Sequence, residues 1–235
     1  MKAALVGYGQ MGHMIESLAG KHGIEIIQRY WDERPLGTDE KTRSELNDVE
    51  TLIDFSVPDA ALENIRKGVV LGKQMVIGTT GWFDQIESIR AVVENAGLGL
   101  VYASNFSLGV NLFYRIAEHS ARLISTFSEY DPFIEEAHHR LKKDAPSGTA
   151  LEIAKLVESA YPDREIPVSS VRAGYIPGTH ILGFDSRVDT LILSHTARSR
   201  EGFAEGALIA AKWITGKQGL FHFRDVLTDI LSIQK

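Results

Sequence analysis

Residues 3–12 read AALVGYGQMG: a short apolar run, then glycines at 7, 9 and 12. An amphipathic stretch follows, able to form a helix that stops at Gly20 or Gly23. Few chain paths accept three glycines at this spacing between a strand and a helix. They permit a tight turn, a close backbone approach to a pyrophosphate, and close packing of helix on strand. The free N–H groups and dipole at the helix amino end favour phosphate. The pattern is short, and a structural glycine turn is its plain alternative. Its place at the head of an alternating strand–helix series favours a dinucleotide site.

That series is legible through residue 107. IEII (24–27), TLIDFS (51–56), QMVIGTTG (74–81) and LGLVYASNFS (98–107) read as strands, and 62–72 and 83–97 as helices. Residues 31–48 are polar and read as irregular. Alternation of this kind implies a parallel sheet with right-handed crossovers, covered on both faces. After Asn105 the pattern changes. Residues 108–125 read as a helix with Leu112, Ile116 and Leu123 inward. FIEEAHH (133–139) reads as a strand and 150–160 as a helix. PVSSVRAG, THILGF and DTLILSHTA read as three more strands, and 203–217 and 223–231 as closing helices. The expected fold class is α/β: a Rossmann-type parallel sheet domain formed by 1–107 with 200–235, plus an α+β mixed-sheet domain over 108–199.

Ligands in an open α/β sheet bind beyond the carboxyl ends of the strands. The candidate cofactor segments are therefore Gly7, Gly9, Gln10, Met11 and Gly12; Phe55 and Ser56; Gly78, Thr79 and Thr80; and Ala103, Ser104, Asn105 and Phe106. The second strand reads as ending near Ile27. Asp32, twenty positions beyond Gly12, is the spacing expected for a ribose-binding acid but falls past that end. Arg29 is placed to meet a 2′-phosphate, or is a surface residue. The cofactor is NADPH or NADH, with a lean towards NADPH or dual use.

Residues 135–150, EEAHHRLKKDAPSGTA, carry the chemistry. In a regular strand His138 and His139 point to opposite faces, so both reach one site only if the chain curls. Lys142 and Lys143 follow. Pro146 disfavours helix at Ala145, and a helix begins around Ser147, Gly148 and Thr149, with Thr149 and Glu152 spaced as a capping box. The stretch supplies an imidazole titrating near neutrality, ammonium groups and a donor-lined helix end. That set suits a substrate that carries carboxylates and must receive a proton. Two adjacent histidines without a matching carboxylate set make a poor metal site, and no metal is expected.

Composition narrows the partners. The formal net charge is −6, which argues against a general nucleic-acid binder. There is no cysteine, hence no disulfide, thiolate metal site or thiol nucleophile. No window reaches the length of a membrane span, and no signal peptide is read at the start. A cytoplasmic setting is expected.

HHRLKKDAPSGTA resembles the signature of the 4-hydroxy-tetrahydrodipicolinate reductase (dihydrodipicolinate reductase) family: His-His, two variable residues, Lys, one variable, then Asp-Ala-Pro-Ser-Gly-Thr-Ala. LIDFSVP, VIGTTGW, SNFSLGVNL, VRAGYIPGTH and GLFHFRDVL match in the same order. The resemblance implies NAD(P)H-dependent reduction of a small dicarboxylate in lysine and diaminopimelate synthesis. It also implies a homotetramer built by the central sheet domain. It makes His138 the general acid and Lys142 its assistant and substrate holder, and it places His139, Ser147, Gly148 and Thr149 on the substrate. Two departures concern the cofactor. The glycine loop is one residue short, with Gln10 where the family has arginine, and Gln28-Arg29 lacks the usual acid. Another two-domain nicotinamide enzyme, such as an amino-acid or semialdehyde dehydrogenase, fits the glycine loop equally well but not the Pro-Ser-Gly-Thr turn. A dinucleotide-binding sensor would need no His-His and Lys set.

Overall fold

A computed structural model describes residues 1–232. Its order is β1 (Lys2–Val6), α1 (Gln10–Ala19), β2 (Glu25–Tyr30), α2 (Glu40–Glu45), β3 (Thr51–Asp54), α3 (Pro58–Val70), β4 (Gln74–Ile77), α4 (Ile86–Asn95), β5 (Gly99–Tyr102) and α5 (Leu108–Ile124). Then come β6 (Asp131–His138), α6 (Gly148–Glu158), β7 (Val168–Arg172), β8 (Thr179–Asp185), β9 (Thr190–Thr196), α7 (Glu201–Trp213), β10 (Gly219–His222) and α8 (Phe223–Ser232). The chain forms two compact units, one of Met1–Ser107 with the chain from Glu201 onward, the other of Leu108–Arg200.

The first unit holds a six-stranded sheet in the order β10-β5-β4-β3-β1-β2, every ladder parallel. Its inner strands are buried along almost their whole length, with apolar residues at their centres, because both faces are covered. Leu52, Met75, Ile65 and Trp82 lie in its core. Three features differ from the sequence reading. Strand β2 runs to Tyr30, past the expected end at Ile27. It is an edge strand with half-buried Gln28 and Arg29, so its apolar pattern lapses before its pairing does. The 31–48 stretch, read as irregular, contains α2, capped by Asp39, whose carboxylate accepts from Thr42 N at 2.8 Å. The tetrapeptide Gly219–His222, which lies between the two expected closing helices and in no expected element, is the sixth strand and pairs with β5. Four residues are too few to show a period.

The second unit holds a four-stranded mixed sheet, β7-β6-β8-β9, in which β6 and β7 are parallel and the other ladders antiparallel. Helices α5 and α6 supply the rest of its core against Ile134, Leu182 and Phe184. The buried stripe of α5 is Val110, Phe113, Tyr114, Ala117 and Ala121, whereas Ile116 and Leu123, expected inside, are more than half exposed. Alanines on the inward stripe allow close approach to the neighbours, which size-weighted pattern reading overlooks. Among the described residues no helix is long and apolar enough to cross a membrane.

Candidate active site

The glycine turn joins β1 to α1. Gly7 has φ +87°, and a Cβ there would stand 2.4 Å from the Phe55 carbonyl oxygen, so only glycine fits. A Cβ on Gly12 would meet the Gly7 carbonyl oxygen at 2.6 Å. Gly9 caps α1 and, having no side chain, supplies no capping bond of its own. Gly7 and Gly9 border a cavity of about 440 Å³, whose wall also includes Tyr30, Asp32, Glu33 and Ser56. A glycine floor beside a glycine-capped helix amino end fits a dinucleotide pyrophosphate.

The remaining cofactor segments meet through a residue the sequence reading did not single out. Asp54, buried at the end of β3, accepts from Ser56 N (2.9 Å), Ser56 Oγ (2.7 Å), Thr79 Oγ1 (2.7 Å) and Asn64 Nδ2 (2.9 Å). Burial raises its pKa, and these donors work against that rise. Asp54 thereby ties the turn after β3 to the turn after β4. Its signal was an aspartate inside an apolar strand, LIDF. The Phe55 ring fills the space over Gly78 and stands 5.9 Å from the Phe106 ring, so the third segment joins the same cluster. Gly78 to Thr80 and Ala103 to Phe106 do not line the cavity, nor do Gln10, Met11, Gly12 and Arg29. Arg29 donates through Nε to Glu16 Oε1 (2.9 Å) and through Nη2 to Ile26 O (3.1 Å). It holds the Glu16 carboxyl below its usual range.

In the second unit, Glu136 and His138 lie two apart on β6 and so share a face. Glu136 is the best-satisfied polar group there. It accepts from Arg172 Nη1 (2.9 Å) and Nη2 (2.7 Å), from Ser147 N (3.2 Å), and contacts His138 Nδ1. Burial would raise its pKa, but the bonds from Arg172, Ser170 and His138 hold it at about 2. For His138 burial pulls the pKa down and Glu136 pushes it up, with Lys142 and Arg172 adding to the fall; the result lies below the usual value. Gly178, at φ +125°, leaves room for this ring: a Cβ there would stand 3.1 Å from His138 Nε2. His180 packs edge-on to His138, with centroids 5.1 Å apart, and its Nε2 lies 3.1 Å from Ser147 Oγ. Burial lowers the His180 pKa to about 4.

The chain turns after β6, with Lys142 N bonded to His139 O at 3.1 Å. His139 sits half-buried at that turn. Lys142 Nζ bonds Asp144 Oδ1 at 2.8 Å and holds the Asp144 pKa down. Helix α6 starts at Gly148, capped by Ser147, which accepts from Ala150 N at 3.2 Å. The cap is thus Ser147, two residues before the Thr149 of the expected capping box. Glu136, His138 and His180 are the one grouping of metal-type donors among the described residues. The Arg172 guanidinium already occupies both oxygens of Glu136, so a cation would have to displace it.

Two family models cover the chain: dihydrodipicolinate reductase, N-terminus, matches residues 1–106, and dihydrodipicolinate reductase, C-terminus, matches 109–227. A 4-hydroxy-tetrahydrodipicolinate reductase of Christiangramia forsetii is 37% identical over 244 aligned residues, covering 98% of this chain and 99% of that one. The Methanospirillum hungatei JF-1 protein of the same name is 33% identical, covering 97% and 98%. The solved structure of a dipicolinate-bound dihydrodipicolinate reductase from Paenisporosarcina sp. TG-14 has a TM-score of 0.80 at 21% identity, over 94% of this chain and 97% of that one, and shares the fold. This chain belongs to the dihydrodipicolinate reductase family.

Proposed function

We propose that the protein reduces 4-hydroxy-tetrahydrodipicolinate to tetrahydrodipicolinate with loss of water, using NADPH or NADH, in lysine and diaminopimelate synthesis. One observation carries the assignment of the substrate site: the Lys142 ammonium bonds a carboxylate, that of Asp144, on the turn that leads into the amino end of α6. A cation beside a helix amino end forms a carboxylate receptor, and Asp144 stands in for a carboxylate of the substrate. His138 lies on the strand leading into the same turn.

The reduced nicotinamide supplies a hydride when bound, held by the Gly7–Gly12 turn, Phe55-Ser56, Gly78–Thr80 and Ala103–Phe106. His138 supplies the proton. Its Nδ1 is committed to Glu136, so Nε2 carries the proton offered to the substrate, and the carboxylate steadies the ring while it is charged. Lys142, His139, Gly148 and Thr149 orient the dicarboxylate. Ser147 acts through the helix it caps. The second sheet face, which carries Phe133, Ile181, Ile192 and Val171, leaves Ile192 and Val171 about half exposed. These half-exposed apolar residues support assembly of copies into a homotetramer, and the biosynthetic role supports a cytoplasmic setting.

The test is oxidation of NADH and of NADPH at neutral pH, with substrate made freshly from pyruvate and aspartate semialdehyde by its synthase. Rapid substrate-dependent oxidation is expected. No oxidation by a folded, coenzyme-binding preparation would overturn the reading.

A further inference from the structure

We propose that the turn Trp31–Arg34 makes the protein select NADH over NADPH, with Asp32 and Glu33 as the discriminating residues. The inference rests on the dinucleotide reading of the first unit and adds the identity of the coenzyme.

The cavity beside the glycine turn is where the adenosine end of a dinucleotide belongs, between the ends of β1, β2 and β3. In such sites an acid beyond the second strand accepts from the ribose hydroxyls, while a nearby arginine accommodates a 2′-phosphate. Here Asp32 and Glu33 are both on the cavity wall, and no lysine, arginine or histidine is among the residues that line it. Because β2 continues to Tyr30, the acid expected directly after the strand is displaced onto this turn rather than missing. Tyr30 O accepts from Gly7 N at 2.9 Å, which fixes the end of β2 beside the glycine loop. Paired bonds between Trp31 and Arg34, at 2.9 and 3.0 Å, then close the turn and hold both acidic residues at the cavity wall.

The two nearby arginines are spent elsewhere. Arg29 is committed to Glu16 and the Ile26 carbonyl. Arg34 donates to Glu45 Oε2 (2.9 Å), Gln28 Oε1 (3.1 Å) and Arg29 O (3.3 Å). Turning either towards a phosphate would take the cationic partner from a half-buried carboxylate. A 2′-phosphate carries between one and two negative charges at neutral pH and would face two carboxylates. A ribose diol would donate to them instead. Asp32 and Glu33 are solvent-exposed, so the discrimination is electrostatic and screened by salt.

The experiment is equilibrium binding without substrate. NADH and NADPH are titrated separately, read by quenching of tryptophan fluorescence, since Trp31 lines the cavity, and by calorimetry. At low salt NADH is expected to bind about tenfold or more tightly than NADPH, with the ratio narrowing as salt rises from about 0.05 to 0.5 M. The Asp32→Asn/Glu33→Gln double variant is expected to bring the two affinities together. NADPH binding as tightly as NADH to the unaltered protein would overturn the selection, as would a ratio unmoved by the double substitution. Binding of neither coenzyme to the folded protein would overturn the dinucleotide reading along with it.

Discussion

At the scale of single residues, a histidine becomes a proton donor through what holds its far nitrogen. Glu136 is fully buried, bridged by Arg172 and in contact with His138 Nδ1. Burial lowers the His138 pKa and Glu136 offsets part of that fall. Two substitutions separate donor from support. His138→Gln should reduce turnover by about 10²-fold or more, the scale of a lost general acid, with coenzyme affinity kept. An unchanged turnover would remove His138 from the role. Glu136→Gln should keep the ring but withdraw the carboxylate that favours its charged form. A general acid works protonated, so activity declines as pH rises through its pKa. Without Glu136 that decline should move to lower pH in kcat/KM, against an unshifted limb if Glu136 is merely structural. Lys142, Arg172, His180 and Asp144 are the other ionisable groups around the ring or its neighbours, and all remain in this variant.

Single elements show why some of this is legible in a local pattern and the rest is not. The start of α6 is a case in point. Thr149 and Glu152 have capping-box spacing, yet Ser147 is the cap. Pro146 sets the boundary, and a cap two residues earlier puts the Ser147 hydroxyl beside His180. Ser147→Ala should therefore cost about 1 kcal/mol or more of stability, the ordinary loss of a cap plus an unpartnered buried imidazole, whereas Thr149→Ala should cost little. Denaturant unfolding of the two variants checks the order. The same logic applies to α7, where a Cβ on Gly206 would stand 1.8 Å from the Phe106 carbonyl oxygen. Gly206→Ala should destabilise by at least about 2 kcal/mol, since backbone rather than a flexible side chain is in the way. What was legible came from long periods and local chemistry: the alternating first unit, the glycine turn, and the His-His to Ser-Gly-Thr stretch. Strand β10 was too short to show a period, and the end of β2 was hidden by its edge position. Glu136, Arg172 and Asp54 act through partners far along the chain, as when Arg172 meets Glu136 across β6 and β7, and no local pattern encodes such pairings.

On the scale of the whole molecule, the two units carry buried ionisable groups of opposite sign in their response to acid. His180 has its folded pKa lowered to about 4 from 6.5 by burial, so the unfolded chain binds the proton more readily. Its stabilising contribution is complete above about pH 6.5 and is lost as pH falls towards 4, on the order of 3 kcal/mol from the size of the shift. Glu136, held at about 2 against an ordinary 4.5, adds a second loss between about pH 4.5 and 2. Both belong to Leu108–Arg200. In the other unit Asp54 has a raised pKa, so protonating it on acidification relieves a burial cost. The unit of Leu108–Arg200 should thus be the acid-labile one. All three tryptophans, Trp31, Trp82 and Trp213, lie in the other unit and report on it alone. Lowering the pH from 7 to 4 should reduce far-UV circular dichroism before tryptophan fluorescence changes, giving two transitions where a single cooperative one would coincide. His180→Gln should shift the first transition to lower pH, because its loss between 6.5 and 4 is gone. Coincident transitions, or a first transition indifferent to His180, would show that acid acts elsewhere in the molecule.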